Sequence, residues 1–127
     1  MHKPHLLLIA HGSRRQSSND EVRRLVESVA KLQAPEVADV TVAFLELAEP
    51  SIPQGLARCA ALGASEIIVF PYFLAAGTHV AQDIPEAIAA FQQARPDIQI
   101  RVTAHLGASE ILPLAILGVA TQTTVTH

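Results

Sequence analysis

Ile67-Ile68-Val69-Phe70-Pro71-Tyr72-Phe73-Leu74-Ala75-Ala76-Gly77-Thr78-His79-Val80-Ala81-Gln82-Asp83-Ile84-Pro85-Glu86 opens as a strand and closes as the start of a helix. The first four residues form a short apolar run rich in β-branched side chains, the mark of a buried strand, and Pro71 stops it. Asp83 is placed to cap free amides, and Pro85 suits a first helical turn. The segment between them reads as a long loop, apolar where loops are normally polar, carrying one histidine, His79. Tyr72, Phe73 and Leu74 beside a lone imidazole suit a flat, apolar ligand.

The same strand-then-helix unit repeats to either side. Residues 6–10 (Leu-Leu-Leu-Ile-Ala) are a second continuous apolar run, followed by the loop His11-Gly12-Ser13-Arg14-Arg15. Ser17 or Ser18 then reads as a helix cap, with Asn19, Asp20 and Glu21 at the positive end and Val22, Leu25, Val26, Val29 and Leu32 as one apolar stripe. Residues 40–45 read as a strand ending at Glu46. A helix follows, started by Ser51 and Pro53 and stopped by Gly63. Ile84, Ile88 and Phe91 line the helix after the opening stretch. Ile98, Ile100 and Val102 alternate with polar residues, as an edge strand does.

Four alternations of strand and helix predict an α/β protein: a three-layer sandwich around a four-stranded parallel sheet in the order 2-1-3-4, in one domain over residues 1–127. Residues 111–119 differ from the other helices. Ile111, Leu112, Leu114, Ala115, Ile116, Leu117 and Val119 leave no polar face, so another surface must cover this helix. A second copy of the chain is the expected cover, which makes a homodimer.

Composition narrows the function. Among 127 residues the formal charge is −3 with no Lys/Arg run, which points away from nucleic acid. No apolar stretch approaches the length of a membrane span, and residues 1–10 lack the apolar core of a signal peptide. Cys59 is the only cysteine, which leaves no disulfide or thiolate zinc site within one chain. It reads as a small core residue, and a reducing cytoplasmic setting is expected.

In an open parallel sheet, ligands bind beyond the carboxyl ends of the strands, where strand order reverses. For the order 2-1-3-4 that point lies between strands one and three. His11 directly follows strand one, His79 lies after strand three, and Glu46 ends strand two. Two imidazoles and a carboxylate on one rim suit a divalent first-row transition metal held with open positions. The same imidazoles also suit proton transfer near neutral pH. Arg14 and Arg15 are placed to clamp substrate carboxylates. Asp83 reads as a helix cap within reach of His79, while His105 after strand four faintly echoes His11. His2, His5 and His127 read as peripheral.

Three motifs, Leu-Leu-Ile-Ala-His-Gly-Ser-Arg (7–14), Ala-Phe-Leu-Glu-Leu-Ala-Glu-Pro-Ser-Ile (43–52) and Phe-Pro-Tyr-Phe-Leu-Ala-Ala-Gly-Thr-His-Val-Ala-Gln-Asp-Ile-Pro (70–85), together resemble the small sirohydrochlorin chelatases of the CbiX type. The resemblance spans nearly the whole chain. It implies a chelatase-like, flavodoxin-like half-domain that inserts a divalent metal substrate into sirohydrochlorin or a related tetrapyrrole without ATP or an organic cofactor. Cobalt leads the candidate metals, with iron or nickel behind it, for cobalamin- or sirohaem-type biosynthesis. It also implies a homodimer resembling the two lobes of longer chelatases, with the site in the cleft between subunits. The family's metal histidines carry over to His11 and His79 and its acid to Glu46. Ser13, Arg14, Arg15, Tyr72, Phe73, Leu74, Gly77 and Thr78 then fall to substrate binding. Ala108-Ser109 departs from the histidine and proline that often follow Leu-Gly in the family.

Other classes fit less well. A histidine phosphatase needs an arginine where this chain has Ala10, and no Gly-x-Ser-x-Gly elbow marks a serine hydrolase. A non-catalytic metal or tetrapyrrole carrier of the same fold is the alternative, separated from a chelatase by turnover.

Overall fold

The computed structural model describes residues 3–75 and 77–122; for His79 it describes the backbone alone. Elements alternate along the chain: β1 (His5–Ala10), α1 (Gln16–Lys31), β2 (Asp39–Phe44), α2 (Ile52–Ala61), β3 (Glu66–Pro71), α3 (Thr78–Ala94), β4 (Gln99–Val102), a 3-10 turn (Leu106–Ala108) and α4 (Ile111–Ala120). The sheet order is β2-β1-β3-β4 with every pairing parallel, as the apolar runs predict. β1 lies between β2 and β3, with Leu7 opposite both Thr41 and Val69. It is therefore covered on both faces and lined by partners on both edges, the environment a continuous apolar run requires.

The two faces of the sheet are unequal. On one, Leu7, Ile9, Ala43, Ile67 and Val69 pack with Ile52, Leu56 and Cys59 of α2 and with Ile84 and Ile88 of α3. On the other, Leu8, Ala10 and Phe44 pack against Val26 of α1, a thinner cluster. Cys59 is fully buried, and burial pushes its thiol above the usual range while the Thr41 hydroxyl acts in the opposite sense. It is a core residue.

Ser51 starts α2 with a reciprocal cap: its hydroxyl accepts from the Gln54 N–H (3.3 Å), and the Ser51 N–H donates to Gln54 Oε1 (2.8 Å). Ser51→Ala should lower stability by about 1 kcal/mol, measurable by urea denaturation. Gly63 ends the helix turn at φ +92°, a conformation glycine adopts without steric cost.

Two helix starts differ from the sequence reading. α1 begins before Ser17 and Ser18, and Arg15 takes the N-cap position with no side-chain cap. Its lead-in is tied instead by Ser13 Oγ, which accepts from the Arg15 N–H at 3.0 Å. Asn19 lies in the first turn, as the sequence places it, but is buried, with its side chain turned back to Ser13. α3 begins at Thr78 after Gly77, so Asp83 is not its cap and Pro85 lies inside it. The stripe at helical spacing starts with Val80, which packs on the core ahead of Ile84, Ala87, Ile88 and Phe91. That packing extends the helix past two residues that would otherwise mark its beginning. The loop after β3 is correspondingly short, and His79 belongs to the first turn of α3.

α4 packs away from both clusters. Ile111, Leu114 and Val119 are each at least 70% exposed, and Ile116 and Leu117 more than half exposed.

Candidate functional site

Where β1 ends, the backbone turns sharply. Gly12 adopts φ +95°, and a Cβ there would lie 1.8 Å from the Glu46 carbonyl oxygen. Only glycine permits both the turn and the approach. The Leu45 N–H donates to the Ala10 carbonyl (2.9 Å) and the Glu46 N–H to the His11 carbonyl (3.2 Å), extending the β1–β2 pairing beyond both strands. The loops that carry His11 and Glu46 therefore form one unit. Gly12→Ala should destabilise the protein by roughly 3 kcal/mol and part these loops, a loss readable as a drop in melting temperature.

That unit brings the predicted imidazole and carboxylate together. His11 Nε2 lies 3.6 Å from Glu46 Oε1, and both side chains are 60% exposed. The Phe73 ring stands edge-on to the imidazole, with centroids 6.4 Å apart and planes at 85°. Beside them is a hollow of about 440 Å³ lined by His11, Leu45, Glu46, Val80 and Asp83. Val80 and Asp83 bring the first turns of α3 to its wall, and His79 is the residue before Val80 in that helix. The His79 side chain lies outside the described residues. Asp83, which the sequence placed as a cap, faces the hollow from one turn beyond His79.

The remaining candidates are spread around this centre. Arg14 and Arg15 are exposed at the lip of α1. Ser13 is only partly exposed: its hydroxyl accepts from Arg15, and its backbone is held by Asn19. Gly77 and Thr78 are exposed at the start of α3, with open space around Gly77. Tyr72, Phe73 and Leu74 do not share one surface. Tyr72 packs on the α1 side and lines a hollow with Ala10, His11, Gly12 and Ser13. Phe73 packs on the opposite cluster, as the period of two in extended backbone requires, and Leu74 is 71% exposed. Phe73 also lines an apolar hollow of about 240 Å³ with Val80, Ile84, Val102 and His105. His105 and His11 thus both neighbour Phe73, the first in this hollow and the second edge-on to the ring. Its turn is docked by the Gly107 N–H, which donates to the Phe73 carbonyl (2.9 Å). A Cβ on Gly107 would lie 1.6 Å from the Leu74 carbonyl oxygen.

The sequence reading missed Gly12, Asn19 and Gly107. Each acts through backbone groups outside its own immediate segment, and only Gly12, in the loop after the first strand run, carried a local sign of a tight turn.

An open parallel sheet with an exposed imidazole–carboxylate pair at its switch point defines an α/β protein suited to handling a small ion or polar ligand at that rim. The chain belongs to the CbiX family, whose model matches residues 5–122. It is 36% identical over 88 residues to the sirohydrochlorin cobaltochelatase of Methanococcus maripaludis, a match covering 68% of this chain and 59% of that one. SirB from Bacillus subtilis, solved with Fe3+, superposes with a TM-score of 0.81 at 30% identity, over 98% of this chain and 49% of that chain. The crystal structure of a candidate cobalamin (vitamin B12) biosynthesis CbiX protein from Marinobacter aquaeolei superposes with a TM-score of 0.69 at 32% identity, over 92% and 94% of the two chains. The chain spans about half the length of the curated relatives it matches, 59% of the Methanococcus maripaludis enzyme and 39% of the Priestia megaterium sirohydrochlorin ferrochelatase among them. No helix among the described residues is long and apolar enough to cross a membrane.

Proposed function

We propose that this chain inserts a divalent metal, cobalt ahead of iron or nickel, into sirohydrochlorin or a closely related tetrapyrrole without ATP, working as a cytoplasmic homodimer. The observation that carries this reading is the His11–Glu46 pair, 3.6 Å apart and open to solvent at the switch point of a CbiX-family sheet. Support for the homodimer comes from the exposed apolar α4, and from the SirB chain, of which this chain covers 49%.

A free tetrapyrrole carries two inner N–H protons and a ring that shields its nitrogen lone pairs. Insertion removes both protons as a dication enters, so charge balances: two protons leave and one M2+ arrives. The ion must reach the ring already stripped of part of its water and held weakly enough to be released. His11 and His79 supply neutral nitrogen ligands suited to that transfer, with open positions left for the incoming ring. Glu46, beside His11 and open to solvent, accepts the two ring protons in turn and passes each to water before the next is taken. Phe73, braced against His11, and Leu74 offer apolar surface to the macrocycle, and Tyr72 borders the α1 side of the lip. Arg14 and Arg15, with Ser13, Gly77 and Thr78, meet the substrate's carboxylates.

Sirohydrochlorin mixed with Co2+ and a catalytic amount of protein should change absorbance through many turnovers. A single stoichiometric change would identify a carrier instead. Arg14→Ala combined with Arg15→Ala should raise KM for the tetrapyrrole about tenfold, by loss of charge-assisted bonds, with kcat nearly unchanged.

A further inference from the structure

The two loops bearing the described site residues are both held by one face of α1. Asn19 is 1% exposed, and its amide is committed entirely to Ser13: Asn19 Oδ1 accepts from the Ser13 N–H (2.9 Å), and Asn19 Nδ2 donates to the Ser13 carbonyl (2.8 Å). Ser13 is two residues beyond His11. Arg23, one turn further along the same helix face, reaches the other loop. Its Nη2 donates to the Glu49 carbonyl (2.7 Å), three residues beyond Glu46. Its Nη1 pairs with Asp20 at 2.9 Å, and its guanidinium lies 5.1 Å from the centroid of the buried Phe44 ring.

The second loop needs such a hold. Leu47 adopts φ +64°, a conformation unfavourable for a residue with a side chain and kept only where surrounding contacts enforce it. The Phe44 N–H donates to the Pro50 carbonyl (2.8 Å) and closes the loop at its base, while Arg23 ties it to the helix. Contact between Gly12 and the Glu46 carbonyl then couples the loops, so displacing either moves both.

We propose that Asn19 and Arg23 are positioning residues that set the separation and aim of His11 and Glu46, and thereby the affinity and ligand geometry of the metal site. This rests on His11 being a metal ligand. Metal sites are sensitive to ligand displacements of a few tenths of an ångström, so loosening either hydrogen bond reaches the ion without touching it.

The test is a Co2+ titration followed by the visible absorption bands of the bound ion, alongside melting temperatures, for wild type, Asn19→Ala, Arg23→Met, Val26→Ala and His11→Ala. Arg23→Met keeps an unbranched stem over Phe44 but removes both hydrogen bonds. Val26→Ala opens the core under the same helix and is the stability control, since the Val26 side chain bonds to neither loop. Asn19→Ala and Arg23→Met are expected to weaken Co2+ binding at least tenfold and to shift its absorption bands. Val26→Ala should melt lower yet bind within twofold of wild type. If Asn19→Ala does not fold, Arg23→Met, at a partly exposed site, decides the matter. Wild-type affinity and bands in Arg23→Met and any folded Asn19→Ala, or an equal loss in Val26→Ala, would overturn the positioning role. His11→Ala separates the two levels. Binding like wild type there overturns the metal reading and this inference with it. Lost binding in His11→Ala with unaffected Asn19→Ala and Arg23→Met overturns the inference alone.

Discussion

His11→Ala is expected to metallate sirohydrochlorin about a thousandfold more slowly than wild type, while its stability stays within about 0.5 kcal/mol. The two halves of that expectation have separate origins. The imidazole is 60% exposed and, among the described residues, meets Glu46 and the edge of Phe73, so its removal opens no buried cavity. On the proposed mechanism the chemistry loses a metal ligand and the neighbour of the carboxylate that takes the ring protons. His79→Ala should behave alike, with tetrapyrrole binding retained, because the proposed mechanism assigns the grip on the ring to apolar surface and cationic groups elsewhere on the rim. The double variant should be little worse than either single one, since residues acting as a unit are strongly non-additive. Stopped-flow absorbance with Co2+ measures the rates and circular dichroism the melting. Equal rates in wild type and either variant would remove that histidine from the mechanism.

The second large effect concerns assembly. Leu114→Lys on α4 should turn the proposed dimer into a monomer at micromolar concentrations. A buried leucine contributes roughly 1.5 to 3 kcal/mol, and a two-fold interface contains it twice. The variant therefore forfeits about 3 to 6 kcal/mol, a rise of about a hundredfold to ten-thousandfold in dissociation constant, before any cost of burying the ammonium. α4 itself should persist, because the side chain it loses is 70% exposed in the single chain. Sedimentation equilibrium reads the result directly. A wild type that is monomeric at tens of micromolar, or a variant that remains dimeric, would show that α4 is covered by something else.

Much of this arrangement could be read from residue order because its causes are local. Apolar runs in 6–10 and 67–70 mark buried strands, the first of them on both faces, and the alternation from Ile98 marks the exposed edge of β4. Parallel order then carried His11 and Glu46 to one rim with no further information. The start of α3 was misread because Asp83 and Pro85 carry the chemistry of a helix beginning. Only the packing of Val80 against the core, a contact between distant residues, carries the helix back to Thr78. The same limit hid Asn19, whose polar side chain within a helix normally signals solvent, and the two glycines that admit a carbonyl from another loop. Tyr72 and Phe73 looked like one wall in sequence. Extended backbone turned them to opposite sides of the sheet.

The claim beneath the rest is that imidazoles from the β1 and β3 connections close on a single ion beside Glu46. A crystal of the chain soaked in Co2+, with data collected at the cobalt absorption edge, measures this most directly. The predicted result is one anomalous peak per site, about 2.1 Å from a ring nitrogen of His11 and of His79, with Glu46 alongside. A peak bound through other residues, with either imidazole turned away from it, would contradict the account.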